Sequence, residues 1–326
     1  MTTPFIARRE TPARVRLPSR VGDSDGPTRG AAAGPHWRRT GQGLYVPSDL
    51  ACAGEQRVVE SAMPAPSRAR LTGWAALLLD GAAYFAGHDL PIDVLVPRHS
   101  NPRPRTGVHW HRRQSLPTAH AAAGVRVVDP PQALLDEAAR LVSGGQHRDA
   151  VVAVDMTLLA GLCTIDEVAD ALRARRGSRL RGDLERVLAL ADGASESPPE
   201  TYLRMIWLLD CGLPPPLVNT WVCDEAGHRL VVPDLLEPAS GLVVEYDGGM
   251  HAELERRTRD AEKDEIYRDL GLECVRLTAI DMRSRARVVQ RLRRAYARAE
   301  RWVRPRRWSI GPPLRGASRR SGASMT

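Results

Sequence analysis

Three carboxylates with spacing suited to metal binding lie on two neighbouring apolar runs of the chain. The runs cover residues 231–236 and 242–246, are rich in β-branched residues and are joined by a Pro-Ala-Ser-Gly loop, which is typical of a strand hairpin. If the hairpin is centred on that loop, Asp234 lies opposite Glu245. Asp247 shares a face with Glu245 because side chains alternate along a strand. The pattern therefore predicts three carboxylates on one patch, with opposed Cβ atoms about 5 Å apart.

Converging carboxylates repel each other, and this repulsion allows two interpretations. A partly buried pair either has a raised pKa or binds a cation. A hard divalent ion such as Mg²⁺, held by one or two carboxylates together with substrate phosphate oxygens, would relieve the repulsion. The alternative is a solvated acidic hairpin end in which each carboxylate pairs with a local arginine. The hairpin alone leaves both interpretations open.

The positive charge of the chain is concentrated at its two ends. The net charge is +8 and the pI is about 9.7. Residues 1–39 hold eight arginines and three acids, and residues 301–326 hold seven arginines and no acid, so residues 40–300 carry a net charge of −4. This distribution favours polyanion binding by flexible arms over a basic folded groove. Arms that only increase solubility are the alternative.

Residue usage excludes several classes of protein. Lys263 is the only lysine and does not stand in a phosphate-loop motif, which excludes P-loop nucleotide hydrolases and kinase-like sites, so no nucleotide cofactor is expected. The five cysteines show no CxxC spacing, which argues against a disulfide framework or zinc ribbon and favours a reducing cytoplasm. With neither a secretory signal nor an 18-residue apolar run, the expectation is a cytoplasmic protein without a membrane partner.

Composition shifts along the chain predict two domains between basic tails. Residues 1–35 are expected to form a disordered basic tail and 36–191 an α+β module. Residues 192–199 read as a linker, 200–303 as the second domain and 304–326 as another disordered basic tail. The expected fold class is α/β.

Local patterns place helices and strands within these domains. In the first domain, Ser67 is expected to cap a helix over 69–79, and His109 and His111 share one face of a strand, where a metal role is the less favoured interpretation. The second domain reads as a helix, three strands, a helix, a strand and a last helix, over 200–209, 217–223, 231–236, 242–246, 252–270, 273–278 and 281–303.

This element order, with Pro-Asp on one strand and Glu-x-Asp on the next, resembles the PD-(D/E)XK nuclease superfamily. The chain is most similar to the very-short-patch-repair-like (Vsr-like) endonucleases, in particular their actinobacterial members of unknown function, over about 195–300. Five segments carry the resemblance, Glu200-Thr-Tyr-Leu-Arg204, Pro233-Asp234, Glu245-Tyr-Asp-Gly-Gly-Met-His251, Lys263-Asp264 and Gly271-Leu-Glu-Cys-Val-Arg276. Residues 40–190 resemble, more weakly, the AbiEi-type antitoxin module. The resemblance implies a restriction-endonuclease-like αβββαβ core with a mixed sheet flanked by helices.

The resemblance also implies a catalytic site. Asp234 and Glu245 would hold Mg²⁺ or Mn²⁺, with the Tyr246 carbonyl as a further ligand, and Glu200 would join through water. Asp247 stands where most of the superfamily has a lysine. Because the Vsr-like group lacks that lysine and uses histidine, His251 is the candidate for proton transfer.

The same resemblance implies a nucleic-acid partner. Lys263, Arg276 and Arg259 are candidates for contacts with DNA phosphates. The expected function is Mg²⁺-dependent DNA endonuclease activity in repair or defence, in a cytoplasmic or nucleoid-associated protein. The alternatives are a DNA-binding regulator or antitoxin-like protein with a silent nuclease fold, and an interaction module without a nucleic-acid partner. The DNA substrate and the oligomeric state stay open.

Overall fold

The chain forms a mixed α/β structure with two separate units. The computed structural model describes residues 15–63, 65–175, 177, 179–248, 255–301 and 306–314, and only the backbone of 255–261. One unit runs from Ala7 to Leu188, and the other contains Ala189 to Thr326. The described residues include ten α-helices and several mixed sheets. Among them, no helix has the length and apolar character needed to cross a membrane. All five cysteines are free thiols.

A five-stranded mixed sheet organises the N-terminal unit. Its strand order is β5-β4-β3-β7-β6, with β4–β5 and β3–β7 parallel and the other pairs antiparallel. A separate hairpin, β1–β2, precedes it. The elements of this unit are β1 (Trp37–Gly41), β2 (Leu44–Pro47), α1 (Gly54–Ala62), β3 (Arg70–Thr72), α2 (Gly73–Leu79), β4 (Ile92–Pro97), β5 (Val108–Arg113), β6 (Ala119–Ala122), β7 (Val125–Val128), α3 (Pro130–Ser143), α4 (His147–Leu159), α5 (Ile165–Ala174) and α6 (Arg181–Leu190).

The helix predicted over 69–79 begins later than expected. Residues 70–72 form the central strand β3, and α2 starts only at Gly73, whose φ of 65° is left-handed. Strand structure is favoured over helix at these residues because Leu71 pairs with both Val94 and Val127 inside the sheet and is buried there. Tertiary pairing therefore overrides the local helical pattern.

The C-terminal unit holds a four-stranded mixed sheet and a three-stranded antiparallel one. The first has the order β13-β12-β11-β8, in which only β12–β13 is parallel, and the second has the order β10-β9-β14. The elements are α7 (Pro198–Met205), β8 (Leu217–Val218), β9 (Thr220–Cys223), β10 (Arg229–Val231), β11 (Leu235–Glu237), β12 (Leu242–Asp247), α8 (Glu255–Asp269), β13 (Glu273–Thr278), α9 (Ala279–Met282), α10 (Arg285–Arg301) and β14 (Ser309–Pro313).

The alternating side chains of the four-stranded sheet bury two different cores. Leu235 and Val244 face a cluster that includes Leu203 of α7, Trp207 in the π-helical turn after α7, and Leu292 of α10. The opposite face packs against α8 and the three-stranded sheet. Its members are Val222, Val231, Leu236, Val243, Tyr267, Leu270, Leu272 and Trp308. The sheet is therefore buried on both sides, and polar residues on its strands lie close to helices.

Two strands predicted as continuous each divide between the two sheets. The predicted strand 217–223 becomes β8 and β9, with Asn219 between them at a φ of 41°. The predicted strand 231–236 becomes β10 and β11. The two breaks lie side by side, because the Asn219 amide donates to the Asp234 carbonyl at 3.1 Å. Asp234 therefore lies at a corner where the paired chains leave one sheet for the other.

Strand β14 lies in the stretch expected to be a disordered tail. Residues 309–313 pair with β9, with Ile310 opposite Val222, and Trp308 beside them is buried. The high arginine content of the region hid this short strand. Similarly, residues 31–33 form a short 3₁₀-helix and Ser19 bridges to Tyr45 within the predicted N-terminal tail.

Candidate metal centre

The register of the β11–β12 hairpin places Asp234 and Glu245 next to each other. Leu235 pairs with Val244 and Leu236 with Val243, so the hairpin is centred on its loop as the sequence predicts. Asp234 directly precedes β11, and its Oδ2 accepts a hydrogen bond from the Tyr246 amide at 2.5 Å. Both carboxylates point to the sheet face that packs against α8.

Glu200 reaches the same site from the first turn of α7. Its side chain is buried and accepts from the Glu196 amide at 2.7 Å, the Ser197 hydroxyl at 2.7 Å and the Asn219 amide group at 2.9 Å. Ser197 is the N-cap residue, so Glu200 at the third helical position forms the acidic half of a capping arrangement. Burial raises the pKa of Glu200. These donors fix Glu200 in place beside Asn219, the residue at the corner.

Glu245 is held by two side chains of α8. Both of its carboxylate oxygens lie 3.1 Å from the Lys263 ammonium, and Oε1 also accepts from the Tyr267 hydroxyl. Glu245 is buried, whereas Lys263 is 37% exposed. Burial and the charge of Glu245 raise the pKa of Tyr267, so the phenol remains a hydrogen-bond donor at neutral pH.

Among the described side chains around Asp234, negative charge exceeds positive charge. Burial raises the pKa of Asp234 well above its usual range, and the charges of Glu200 and Glu245 raise it further. The Tyr246 amide and Lys263 act in the opposite direction but do not overcome these effects. Among the side chains that the structure describes, three carboxylates and one ammonium therefore interact at this corner, and an added cation would be favourable there.

Asp247 and Tyr246 lie at the end of β12, next to this cluster. Asp247 is half-buried at the end of β12, on the same sheet face as Glu245. The carboxylates with the largest effect on Asp234 are nevertheless Glu200 and Glu245. The Tyr246 backbone N–H donates to Asp234, and the role of the Tyr246 carbonyl as a metal ligand stays a prediction.

The predicted DNA-contacting residues face protein carboxylates where their side chains are described. Lys263 binds Glu245, and Arg276 donates from Nε and Nη2 to Asp264 at 3.1 and 3.0 Å. Arg259 lies in α8, but its side chain is outside the described part of the chain. His251 also lies outside the described residues, so its proposed part in proton transfer stays a prediction.

The donor set fits a magnesium site built from two carboxylates. Among the described residues, no three His, Cys, Asp or Glu side chains form a ready-made ligand set. Mg²⁺ commonly uses one or two carboxylates and completes its octahedron with water or substrate phosphate. Asp234 and Glu245 match that requirement. Glu200, with three donors already bound, would contribute its charge rather than a direct ligand.

The histidine pair on β5 has a protein partner rather than the geometry of a metal site. His111 Nε2 lies 2.6 Å and His109 Nδ1 lies 3.6 Å from the same Asp93 oxygen. The hydrogen bond to Asp93 raises the pKa of His111. These residues stabilise one another across the parallel β4–β5 pair. The metal role therefore stays the less favoured interpretation of the two histidines.

Two residues of the cluster were missed by the sequence interpretation. Asn219 is 5% exposed and donates to both the Ala194 carbonyl and Glu200. The sequence feature that could have revealed it is an asparagine inside an apolar strand pattern, because asparagine tolerates the left-handed backbone conformation that such a corner requires. Tyr267 lies four residues after Lys263, and this spacing places both side chains on one helix face.

Comparisons with known proteins give distant similarity only. The chain is 27% identical to two uncharacterized proteins of Mycobacterium tuberculosis, one from strain CDC 1551 / Oshkosh and one from strain H37Rv. Each alignment spans 233 residues, which are 70% of this chain and 83% of the relative. No family model matches the chain, and no solved structure matches it.

Proposed function

We propose that the C-terminal unit is a Mg²⁺- or Mn²⁺-dependent DNA endonuclease with a restriction-endonuclease-like core. The observation that carries this proposal is the convergence of Asp234, Glu245 and Glu200 at one corner of the sheet, where burial and then the charges of the other two carboxylates raise the pKa of Asp234. Structural carboxylates are usually compensated by hydrogen bonds or cations, whereas catalytic ones are often left perturbed. The resemblance in residue spacing to Vsr-like nucleases gives the reaction class.

In this proposal each residue of the cluster has a separate role in phosphodiester hydrolysis. Asp234 and Glu245 would hold the cation, and Glu200 would reinforce the negative field. When bound, the divalent ion supplies a polarised phosphate and a bound water of lowered pKa. Lys263, which is partly exposed beside Glu245, places a positive charge where the phosphate oxygens of a substrate would arrive. His251 remains the candidate for moving the proton.

Plasmid relaxation tests this proposal. The wild-type chain with Mg²⁺ or Mn²⁺ should nick or linearise supercoiled DNA, and Asp234→Ala should lower the rate at least ~100-fold, as expected when a metal-binding group is removed. Asp224→Ala is a matched control, because Asp224 belongs to the same unit but pairs with His228. Equal cleavage by wild type and Asp234→Ala would identify a contaminant and remove the proposal.

The ion pair at Glu245 also favours a second candidate, a DNA-binding regulator with a silent nuclease fold. Lys263 contacts both oxygens of Glu245 and so already neutralises one of the two proposed ligands. In a silent site this ion pair would substitute for the metal. Tight DNA binding, together with no heat of Mn²⁺ binding and no cleavage, would support this candidate over the nuclease.

A further inference from the structure

The segment from Arg98 to Arg113 is a strongly basic stretch of the N-terminal unit. It reads RHSNPRPRTGVHWHRR and contains five arginines, three histidines and no carboxylate. It forms the loop after β4 and the edge strand β5. Arg98, Arg103 and Arg112 are exposed. These three side chains are called the arginine surface below.

Neutral groups hold the three side chains of the arginine surface. Arg98 donates to the Gln114 side chain at 3.0 Å, and Arg103 donates to the Gln42 side chain at 3.1 Å. Arg112 donates to the Ser100 carbonyl at 3.0 Å and to the Asn101 side chain at 3.1 Å. Hydrogen bonds of this kind orient a guanidinium without neutralising it, so its charge remains available to a partner.

Several other arginines of the same unit are bound differently. They pair with carboxylates, and the pairs are Arg38–Glu60, Arg57–Asp89, Arg140–Glu137, Arg173–Asp170, Arg175–Asp136 and Arg186–Asp183. The arginine surface is thus a concentration of uncompensated charge, and this feature was not visible from the overall charge of the middle of the chain.

The segment is fixed before any partner arrives. The parallel register sets Arg112 beside Val96 and Arg113 beside Pro97, so Arg98 lies near the end of β5. Arg105 anchors the loop by donating to the Thr40 carbonyl at 2.5 Å and the Glu60 carbonyl at 3.2 Å. Pro102 and Pro104 restrict the backbone between these anchors. Binding would therefore cost little conformational entropy.

We propose that the arginine surface binds the phosphate backbone of nucleic acid. The observation behind it is the cluster of exposed guanidinium groups that are held by neutral acceptors. Arginine donors match the geometry of phosphate oxygens, and several positive charges on one loop and edge strand suit a polyanion. Among the described residues, none of the large exposed hydrophobic side chains lies in this segment, so insertion into a lipid surface is not favoured. The proposed ligand is nucleic acid, as for the proposed nuclease, but binding at the arginine surface does not depend on cleavage.

The inference is tested by measuring how the affinity of the full chain for a fluorescently labelled DNA duplex, in EDTA, changes with salt concentration. The variant Arg98→Gln with Arg103→Gln should weaken binding about 10-fold or more at low salt. It should also reduce the slope of log affinity against log salt by about 2, because each phosphate contact contributes ~0.9. Arg173→Gln with Arg186→Gln is the matched control, because it removes the same charge from ion-paired arginines. The control should keep the wild-type slope.

Three results would overturn the inference. These are an unchanged slope in the test variant, an equal loss in the control variant, and absence of DNA binding by the wild type. Tighter binding to a poly-glutamate peptide than to DNA would instead assign the surface to an acidic protein partner. Circular dichroism and thermal melting of both variants distinguish lost contacts from lost folding. Since EDTA suppresses cleavage, these outcomes are independent of whether the nuclease proposal succeeds.

Discussion

The Lys263 ammonium lies 3.1 Å from both carboxylate oxygens of Glu245, and Glu245 is one of the two side chains best placed to hold a cation. The same lysine lowers the pKa of Asp234, although burial and the neighbouring carboxylates still raise it. Lys263 therefore has two opposing effects on a bound metal. It competes for Glu245, and it also keeps the cluster ionised.

Replacing Lys263 should separate metal binding from cleavage. Lys263→Gln removes a positive charge next to Glu245, so at pH 8 the affinity for Mn²⁺ should rise about 3- to 10-fold by electrostatics. Cleavage should slow, because the positive charge beside the incoming phosphate is gone. Isothermal calorimetry and plasmid nicking measure the two effects. Arg298→Gln, which breaks the exposed pair with Glu273, is the control and should change neither. Weaker Mn²⁺ binding by Lys263→Gln would contradict the competition.

Asp234 should destabilise the folded chain at neutral pH when no divalent ion is present. A carboxyl group with a raised pKa in the folded state contributes its full stability at a pH below its unfolded-state pKa, which is near 3.9. That stability is lost as the pH rises through the folded-state pKa. Asp234→Asn should therefore melt at a higher temperature than wild type at pH 8 in EDTA. The gain in free energy of unfolding should be on the order of 1 kcal/mol. The advantage should shrink as the pH falls towards 4.

Added metal and a second carboxylate provide controls for that melting experiment. Mn²⁺ should stabilise wild type and not Asp234→Asn, because ligand binding to the folded state raises its stability. Asp224→Asn should gain nothing, since hydrogen bonds from His228 lower the pKa of Asp224. If Asp234→Asn melts below wild type at pH 8, the excess of negative charge at the corner is refuted.

The corner at Asn219 can be tested by two substitutions. Asn219→Ala removes the hydrogen bonds to Ala194 and Glu200 and leaves a Cβ in a left-handed conformation, so it should cost about 2–3 kcal/mol in free energy of unfolding. Asn219→Gly loses the same bonds but tolerates the conformation, and it should be about 1 kcal/mol more stable than the alanine variant. Urea unfolding measures both. An alanine variant as stable as the glycine variant would mean that the left-handed backbone carries no strain.

The hairpin could be predicted from sequence because both its faces are specified by buried side chains. Slipping the register of Leu235 against Val244 would turn each apolar side chain to the wrong face, so the pairing of Asp234 with Glu245 follows from alternation alone. Strand β13, over residues 273–278, also matches its predicted bounds, and its alternate residues Val275 and Leu277 are buried on one face.

The corner itself could not be predicted in this way. The division of β8 from β9 depends on a left-handed Asn219 and on pairing with β14, which is distant in sequence. The contact between Lys263 and Glu245 depends on how α8 packs on the sheet. Alternation within a strand carries no information about such packing, so these contacts emerge only from the three-dimensional structure.

Mn²⁺ binding to the full chain is the most direct test of the central claim that Asp234 and Glu245 together hold a divalent cation. Titration at pH 8, followed by calorimetry or electron paramagnetic resonance, should reveal one site in the wild type and in Asp224→Asn. Asp234→Asn and Glu245→Gln should each lose that site while retaining folded circular dichroism spectra. A wild type that binds no Mn²⁺, or an Asp234→Asn variant that binds it as tightly as wild type, would contradict the account.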